Sequence, residues 1–352
     1  MVRPRRRRHQ RRQRSLALGL GLVLAAAIVV TAEGGLRLAG VQPAYQADLL
    51  GGWRMLPEQH AQTVRSREGA SFVLSTNADG MRTAWPRQRT PGVWRVTLLG
   101  DSIVFGWGVD DGGTVADGLQ EALEAQLGGP VEVINAAQPG YSTVQSARFF
   151  GDIVQHYRPD LTVLFLAMHD HNAVLVSDAE HLHGARGPLA TLRVLLAQHS
   201  RLYQLGRQWL VPLSAQPFLR PDQPPGELRV ARVDNTERAA AIAEIRSTLA
   251  TWDGAFALGH MPFISDLESA VPMHRDGEAW ANDYADAGGI SIVDLRRCCG
   301  PDGGHLVLPH DPGHLTAEGG LAAGRYGSAP VTAILYGMGA PASPPPGSGS
   351  SR

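Results

Sequence analysis

The sequence lacks lysine entirely and contains only two cysteines, Cys298 and Cys299, among its 352 residues. Adjacent cysteines form a disulfide only in a strained ring, so a stabilising disulfide framework is excluded. Two thiols without other soft ligands also make a poor zinc site, and we interpret both as partly buried structural residues. The absence of lysine, together with abundant alanine and glycine, indicates codon bias rather than a function.

A basic surface for nucleic acid is missing from the body of the chain. Residues 1–14 hold eight arginines and no acid, so the rest carries 24 arginines against 33 acidic residues, a net charge of −9. We therefore predict no nucleic-acid partner. An apolar content of 43% with 18% charged residues is ordinary for a globular protein that buries a core. The length suits an α/β enzyme made of one domain and appendages.

A run of 17 uncharged, mostly apolar residues, 16–32, follows the basic segment 1–15. This length is near the lower limit for spanning a bilayer. The arginines before it predict a cytoplasmic N-terminus and place residues 33–352 outside. The alternative is a secreted protein with a cleaved signal peptide, since residues 30–32 resemble a small-residue cleavage site. We expect a retained anchor, because the run exceeds a usual signal core; either way the body is extracytoplasmic.

From residue 94 onward, strands alternate with helices. The predicted strands are Trp94–Leu99, Val131–Ile134, Leu161–Leu166, Ala255–Leu258 and Ile290–Val293, and the predicted helices are Val115–Leu127, Val144–Tyr157, Pro188–Leu210, Thr236–Trp252 and the segment after Thr316. This alternation predicts βαβ units with right-handed crossovers. The expected fold is α/β, a doubly wound, flavodoxin-like, five-stranded parallel sheet with helices on both faces.

The predicted domain covers residues 93–338, with appendages around it. The extension at 33–92 is expected to be irregular, with a turn at residues 77–80. An insertion at about 172–233 is too long for a plain connection and is either a substrate-shaping lid or a peripheral decoration. The tail at 339–352 is rich in proline, serine and glycine, and we expect it to be disordered.

Candidate site residues cluster where the predicted strands end. Ligands of doubly wound sheets bind at the C-terminal ends of the strands. Ser102, Gly140, His169, His260 and Asp294 all fall at or just after such an end. The sheet topology therefore predicts a site at this edge.

A serine, a histidine and a carboxylate offer the groups of acyl-transfer chemistry. Ser102 follows the first predicted strand, while Asp311 and His314 lie three residues apart on a predicted short loop. A serine hydroxyl is a poor nucleophile unless a base takes its proton and a third group holds that base. Ser102 alone would be read as a helix N-cap. The presence of all three groups favours catalysis.

Three ordered blocks resemble those of SGNH (GDSL-type) hydrolases, over residues 94–335. The blocks are Gly100-Asp101-Ser102, residues 135–143 (NAAQPGYST) and Asp311-Pro312-Gly313-His314-Leu315, and residues 77–82 (NADGMR) resemble membrane-tethered bacterial members. The resemblance implies an ester hydrolase in which Ser102 is the nucleophile, His314 the general base and Asp311 the group that holds the imidazole.

The resemblance also implies an oxyanion hole. The backbone N–H groups of Ser102 and Gly140 are the expected first two donors. The family's third donor is an asparagine in a Gly-x-Asn-Asp block, where this chain has Ala-Met-His-Asp at residues 167–170. His169 therefore replaces the asparagine; its ring N–H could donate, although it is bulkier and titrates near pH 6.5. Asn172 is the alternative donor, and Asp170 is expected to organise the loop.

The remaining histidines and aromatics receive simpler interpretations. His169 and His171 flank one aspartate, and His181 with His183 form a second pair. Metal binding would require them to converge with a carboxylate, so we predict no metal and no cofactor. Trp107 is expected to pack in the core rather than to form a sugar-stacking wall.

The resulting hypothesis is a membrane-anchored bacterial serine esterase. Its substrates would be small acyl esters, O-acetyl esters among them, on glycans or lipids of the cell envelope. One alternative is an O-acyltransferase to an exported polysaccharide, which would need a separate envelope-biosynthesis partner protein with an acyltransferase membrane domain. Another is a catalytically weak binding protein on the same scaffold, which the replacement at His169 favours.

Overall fold

The computed structural model describes residues 4–39, 45–48, 52–65, 69, 71–174, 176–184, 188–206, 230–261, 275–298, 303–309 and 311–339. The chain divides into two compact units. The larger unit comprises residues 48–186 and 217–352, and the smaller comprises residues 1–47 and 187–216.

A five-stranded parallel sheet lies at the centre of the larger unit. Every residue of the second and third strands is buried, because helices cover both faces of the sheet. The order β5-β4-β3-β1-β2 is the flavodoxin-like one, so the predicted fold class is confirmed. In chain order the strands are β1 Trp94–Leu99, β2 Val131–Asn135, β3 Leu161–Phe165, β4 Ala255–His260 and β5 Ser291–Asp294.

Helices pack on the two faces of this sheet. They are α1 Val115–Leu127, α2 Thr143–Asp152, α3 Asn235–Leu249, α4 Arg275–Gly288 and α5 Ala317–Gly337. On one face α2, α3 and α4 share a buried core that includes Phe149, Ile242 and Ala285. On the other face α1 and α5 pack against each other.

The starts of four of these helices are set by side chains that bond to exposed backbone N–H groups. Thr114, Ser142 and Asp234 precede α1, α2 and α3, and each forms a reciprocal capping box with the residue three positions later. Thr316 caps α5 by accepting the N–H of Gly319. Such caps stabilise a helix because its first N–H groups have no partner inside the helix.

Glycine allows α1 and α5 to approach closely. An ideal Cβ on Gly118 would lie 2.3 Å from the Leu321 carbonyl oxygen, and one on Gly324 would lie 2.2 Å from that of Val115. Any larger side chain at either position would push the helices apart.

Several element ends differ from the sequence predictions. The helix predicted at 144–157 divides into α2 and a 3₁₀ turn, Val154–Tyr157, because the backbone of Ile153 departs from helical geometry. The helix predicted to reach Trp252 likewise ends as a 3₁₀ turn, Ala250–Trp252. Strand β4 extends two residues further than predicted, to His260.

The N-terminal extension contains four short strands where no regular element was predicted. They are Tyr45–Asp48, Gly52–Met55, Gln62–Arg65 and Ser71–Leu74, the last two paired antiparallel. Met55, Phe72 and Leu74 are fully buried, so the strands from Gly52 onward pack as part of the larger unit. Strands of four residues are too short to produce a clear alternating pattern.

Short elements complete the larger unit. They are the helices Ser102–Phe105 and Asp178–Gly184, the 3₁₀ turns Met168–His171 and Gly303–Leu306, and the paired strands Ala173–Val174 with Val230–Ala231 and Val307–Leu308 with Asp311–Leu315. The pair at 173–174 and 230–231 joins the two ends of the predicted insertion.

The smaller unit contains the helices Pro4–Leu38 and Pro188–His199. Residues 16–38, 23 in number, form a stretch long and apolar enough to cross a membrane, and none of its most apolar window is buried. Glu33 accepts the backbone N–H groups of Arg201 (2.9 Å) and Leu202 (3.0 Å). Residues 207–210 of the helix predicted at 188–210, the part of the predicted insertion at 211–229 and the predicted disordered tail from residue 340 lie outside the described residues.

Candidate active site

Ser102 lies at the C-terminal edge of the sheet, in the short helix that follows β1. Its side chain is nearly buried, with 7% of the residue exposed. The preceding Asp101 caps this helix by accepting the N–H of Ile103 (3.0 Å). The other Asp101 oxygen accepts the N–H of Met168 (3.3 Å), so one carboxylate joins the turns after β1 and β3.

The structure brings Ser102, His314 and Asp311 into one hydrogen-bonded chain. His314 Nε2 lies 2.7 Å from Ser102 Oγ, and His314 Nδ1 lies 2.7 Å from Asp311 Oδ2. A carboxylate can only accept at this distance, which places the ring proton on Nδ1 and leaves Nε2 to accept the serine proton. The serine is thereby oriented for proton transfer to the imidazole.

Asp311 and His314 lie on a strand, which corrects the predicted loop. Asp311–Leu315 pairs antiparallel with Val307–Leu308, with an irregular register at this junction. Proline and glycine at 312 and 313 read as a turn in the sequence. The strand continues through the cap residue Thr316 into α5. The position of His314 is therefore linked to that of α5.

Gly140 lies in a turn after β2, close in sequence to the start of α2. Its φ of +76° is in the left-handed region, which favours glycine. The turn is closed by the Tyr141 N–H donating to the Gln138 carbonyl (3.2 Å). Within the part of the chain that the structure describes, the backbone N–H groups of Ser102 and Gly140 have no protein acceptor.

His169 lies in the 3₁₀ turn after β3. Burial lowers the pKa of its imidazole, with the charges of Asp101 and Arg232 acting in opposite directions. The amide nitrogen of Asn172 is 3.4 Å from His169 Nδ1. An amide NH₂ that donates to Nδ1 leaves the ring proton on Nε2. Burial thus favours the neutral form of the His169 imidazole, and Asn172 lies beside its Nδ1.

Asp170 organises the loop that carries His169. Its carboxylate accepts from the backbone N–H (2.9 Å) and hydroxyl (2.6 Å) of Thr143, the first residue of α2. The same carboxylate accepts from Arg238 Nε (3.1 Å) on α3. The loop after β3 is therefore tied to two helices.

Arg232 is a site residue that the sequence did not suggest. It follows the strand Val230–Ala231 at the end of the insertion and is 5% exposed. Its guanidinium donates to the Gly140 carbonyl (2.9 Å), to Asp178 (2.8 Å) and to the side chain of Gln145. Asp178 in turn accepts from the Ser142 hydroxyl (2.6 Å). Both ends of the insertion thus hold the turn that contains Gly140, a tertiary contact that leaves no local signal in the sequence.

Two other predicted strand-end residues are engaged elsewhere. His260 Nε2 is 3.1 Å from Asn282 Oδ1, and burial lowers the pKa of this histidine. Burial alone would raise the pKa of Asp294, but hydrogen bonds from Arg296 lower it. Among the described residues, neither His260 nor Asp294 bonds to Ser102 or His314.

Trp107 and Cys298 lie in packed surroundings. Trp107 packs edge-on against Phe72, with ring centroids 5.1 Å apart. Cys298 is partly buried, and Cys299 lies outside the described residues. Within the described ranges, no three histidine, cysteine or acidic side chains are close enough to hold a metal ion, His181 included.

A small pocket opens at the ends of β3 and β4. Its lining includes Met168, His171, His260 and Glu278. It borders the loop that carries His169, but Ser102 and His314 do not line it.

The chain matches a family of known proteins in sequence and resembles several solved structures. Residues 98–320 match the model of the GDSL-like lipase/acylhydrolase family. A lipase/acylhydrolase from Enterococcus faecalis is 17% identical, with a TM-score of 0.41 over 70% of this chain and 97% of that chain. A family 3 carbohydrate esterase from Clostridium thermocellum is 11% identical, with a TM-score of 0.43 over 70% and 98% of the two chains. No curated protein matches the chain in sequence.

Proposed function

Because the chain belongs to the GDSL-like lipase/acylhydrolase family and is an ester-bond hydrolase, we propose that it is a serine esterase acting on small acyl esters outside the cytoplasm. Ser102 is the nucleophile, His314 the general base and Asp311 the group that orients the base. One observation carries this assignment: the 2.7 Å contact between His314 Nε2 and Ser102 Oγ, with Asp311 on the other ring nitrogen.

In the first half-reaction, Ser102 Oγ attacks the ester carbonyl carbon and its proton passes to His314 Nε2. The carbonyl oxygen becomes an oxyanion, which the N–H groups of Ser102 and Gly140 stabilise. Asp311 stabilises the imidazolium across the Nδ1 contact. When the intermediate collapses, the C–O bond to the alcohol breaks, and the alcohol leaves with the proton from His314.

In the second half-reaction, water replaces the alcohol. His314 takes a proton from the water as the oxygen attacks the acyl carbon, and the same N–H donors bind the second oxyanion. Collapse releases the carboxylic acid and returns the proton to Ser102.

We assign the third oxyanion donor to His169. Its burial and lowered pKa keep the ring neutral, and its contact with Asn172 leaves the Nε2 proton available. Asn172, which is occupied with the ring, is the supporting residue in this proposal.

In this proposal the chain is anchored in the membrane by its N-terminal helix. Residues 1–15 lie in the cytoplasm and the esterase domain lies outside. The 23-residue apolar stretch supports the anchor, and the arginines before it support the orientation. Glu33, one residue beyond the candidate cleavage site, bonds to the backbone of Arg201 and Leu202, which ties the two segments of the smaller unit together. Mass spectrometry of the mature N-terminus tests this: a chain beginning at Glu33 would mean cleavage and secretion.

The proposed substrates are O-acetyl and other small acyl esters of cell-envelope glycans or lipids, which this compartment would supply. The test is a series of nitrophenyl esters of increasing chain length, together with acetylated glycans, given to the full chain in mild detergent. We expect turnover that is highest for acetyl esters and absent in Ser102→Ala. Transfer of the acyl group to a glycan hydroxyl instead of water would identify an acyltransferase.

A fluorophosphonate probe separates the enzyme from a binding protein on the same scaffold. We expect the wild type to label at Ser102 and Ser102→Ala to remain unlabelled. A wild type that stays unlabelled across neutral pH would contradict the proposed mechanism.

A further inference from the structure

The peptide that joins Pro139 to Gly140 is held by a tryptophan from the N-terminal extension. The indole Nε1–H of Trp53 donates to the Pro139 carbonyl oxygen at 2.9 Å. That carbonyl and the Gly140 N–H belong to one planar peptide group and point in opposite directions. A bond that fixes the carbonyl therefore also fixes the direction of the Gly140 N–H.

Trp53 is itself held in place on several sides. The Tyr141 hydroxyl donates to the Trp53 carbonyl (2.7 Å), and the two rings meet edge-on with centroids 5.9 Å apart. The guanidinium of Arg232 lies 5.7 Å from the centre of the indole ring. An ideal Cβ on Gly140 would lie 3.3 Å from Trp53 Cζ2, so the ring packs directly against this glycine.

The residue before Pro139 is bound by the same extension. Gln138 Oε1 accepts the N–H of Met55 (2.8 Å), and Gln138 Nε2 donates to the Gly80 carbonyl (3.0 Å). Gln138, Pro139 and Tyr141 thus all bond to residues 53–80, which lie outside the family match at 98–320. The extension is a structural part of this side of the site.

We propose that Trp53 is a positioning residue for the second oxyanion donor. It acts through the Pro139–Gly140 peptide, aiming the Gly140 N–H and polarising it through the hydrogen bond on the carbonyl. This inference rests on the proposed function, in which that N–H binds the oxyanion. Since the oxyanion exists only along the reaction path, loss of the indole N–H should lower kcat and leave substrate binding unchanged.

The test is Trp53→Phe in the full chain, assayed with nitrophenyl acetate. Phenylalanine keeps an aromatic ring against Gly140 but removes the N–H donor. We expect kcat to fall about tenfold, less than the loss of about 10²- to 10³-fold for deleting a donor outright. KM should stay within about twofold, because ground-state contacts are retained.

Trp252→Phe is the matched control. The Trp252 indole also donates to a proline carbonyl, that of Pro159, at 2.9 Å, and it also lies under an arginine, Arg158, at 5.9 Å. This contact is at the other end of the sheet, where β3 and β4 begin. We expect Trp252→Phe to lower thermal stability about as much as Trp53→Phe does and to leave kcat unchanged.

Each outcome of these assays supports or overturns the role proposed for Trp53. An unchanged kcat in Trp53→Phe with an active wild type overturns this proposal alone, as does an equal loss of kcat in both variants. A wild type that neither turns over esters nor labels with fluorophosphonate overturns the proposed function and this inference with it. If Trp53→Phe does not fold, Tyr141→Phe takes its place, because it removes the hydroxyl that holds the Trp53 backbone. This variant must also lower kcat, and an unchanged kcat overturns the proposal.

Discussion

Asp170 and Arg238 form an ion pair that is closed to solvent. Arg238 Nε is 3.1 Å from Asp170 Oδ2, and the side chains of Arg238 and Asp170 are 2% and 1% exposed. The same carboxylate holds the first residue of α2, Thr143, through two further hydrogen bonds. A buried charge with this many partners keeps the loop of His169 in one arrangement.

Replacing Asp170 by asparagine should therefore destabilise the protein strongly. The amide cannot neutralise Arg238, and removal of one partner of a buried pair costs about 3 kcal/mol or more. Urea unfolding of the full chain in detergent measures this loss. The exposed pair of Arg325 with Glu121, 53% and 63% exposed, is the control, because an exposed pair contributes little. If Asp170→Asn costs no more than Glu121→Gln, the ion pair does not order the loop.

The replacement at position 169 gives a second prediction. If His169 occupies the place of the family's asparagine donor, His169→Asn should preserve or raise turnover. His169→Ala removes the donor altogether and should lower kcat by about 10²- to 10³-fold. Steady-state kinetics with nitrophenyl acetate compares the three proteins. A large loss in His169→Asn would show that the imidazole has a task of its own.

The sheet and the positions of Ser102, Gly140 and His169 at its edge could be predicted from the sequence for a physical reason. The strands are buried on both faces and form apolar runs in the sequence. Ser102, Gly140 and His169 come three to five residues after the strand ends. Position next to a strand end is a local property. The contact between Ser102 and His314 spans 212 residues, but the doubly wound topology brings both to the same edge.

Trp53 and Arg232 could not be predicted in this way. Each acts through a hydrogen bond to a backbone carbonyl, at Pro139 and Gly140 respectively. A carbonyl acceptor imposes no residue type, so its partner carries no pattern in the sequence. The short strand of His314 was missed for a similar reason, since it pairs with only two residues, Val307 and Leu308.

The pH dependence of stability follows from two histidines, the buried His260 and the partly buried His169. Burial lowers the pKa of both His169 and His260 below the ordinary 6.5. Below pH 6.5 the unfolded chain takes up protons at these positions that the folded chain does not, so stability falls as the pH falls. Each site contributes at most about 1.4 kcal/mol per pH unit over this window.

His260→Gln isolates one of these contributions. Asp294, Arg296 and Glu278 also act on this histidine, but burial is the largest effect, so its protonation should oppose folding. Glutamine can donate to Asn282 and does not titrate. The variant should lose less stability than the wild type between pH 7 and pH 5 and show the same pH slope above pH 7.5. Equal slopes at acid pH, measured by thermal unfolding, would refute the assignment.

The close packing of α1 and α5 leads to the last prediction. An added Cβ on Gly324 would lie 2.2 Å from the Val115 carbonyl oxygen, so Gly324→Ala forces the helices apart. We expect a loss of about 1–3 kcal/mol, the usual cost of overpacking. Gly337, at the end of the same helix, has nothing within 4 Å of an added Cβ and no unusual φ. Gly337→Ala should be neutral or slightly stabilising, since alanine loses less backbone entropy in a helix.

A shift of α5 should also reach the site. This helix begins three residues after His314, and its cap residue Thr316 directly continues the strand that carries the imidazole. Because a misplacement of about 1 Å can cost about 100-fold in rate, Gly324→Ala should lower kcat as well as stability. Gly337→Ala should change neither. A Gly324→Ala variant with reduced stability but wild-type kcat would show that the position of His314 is set by its own strand and not by α5.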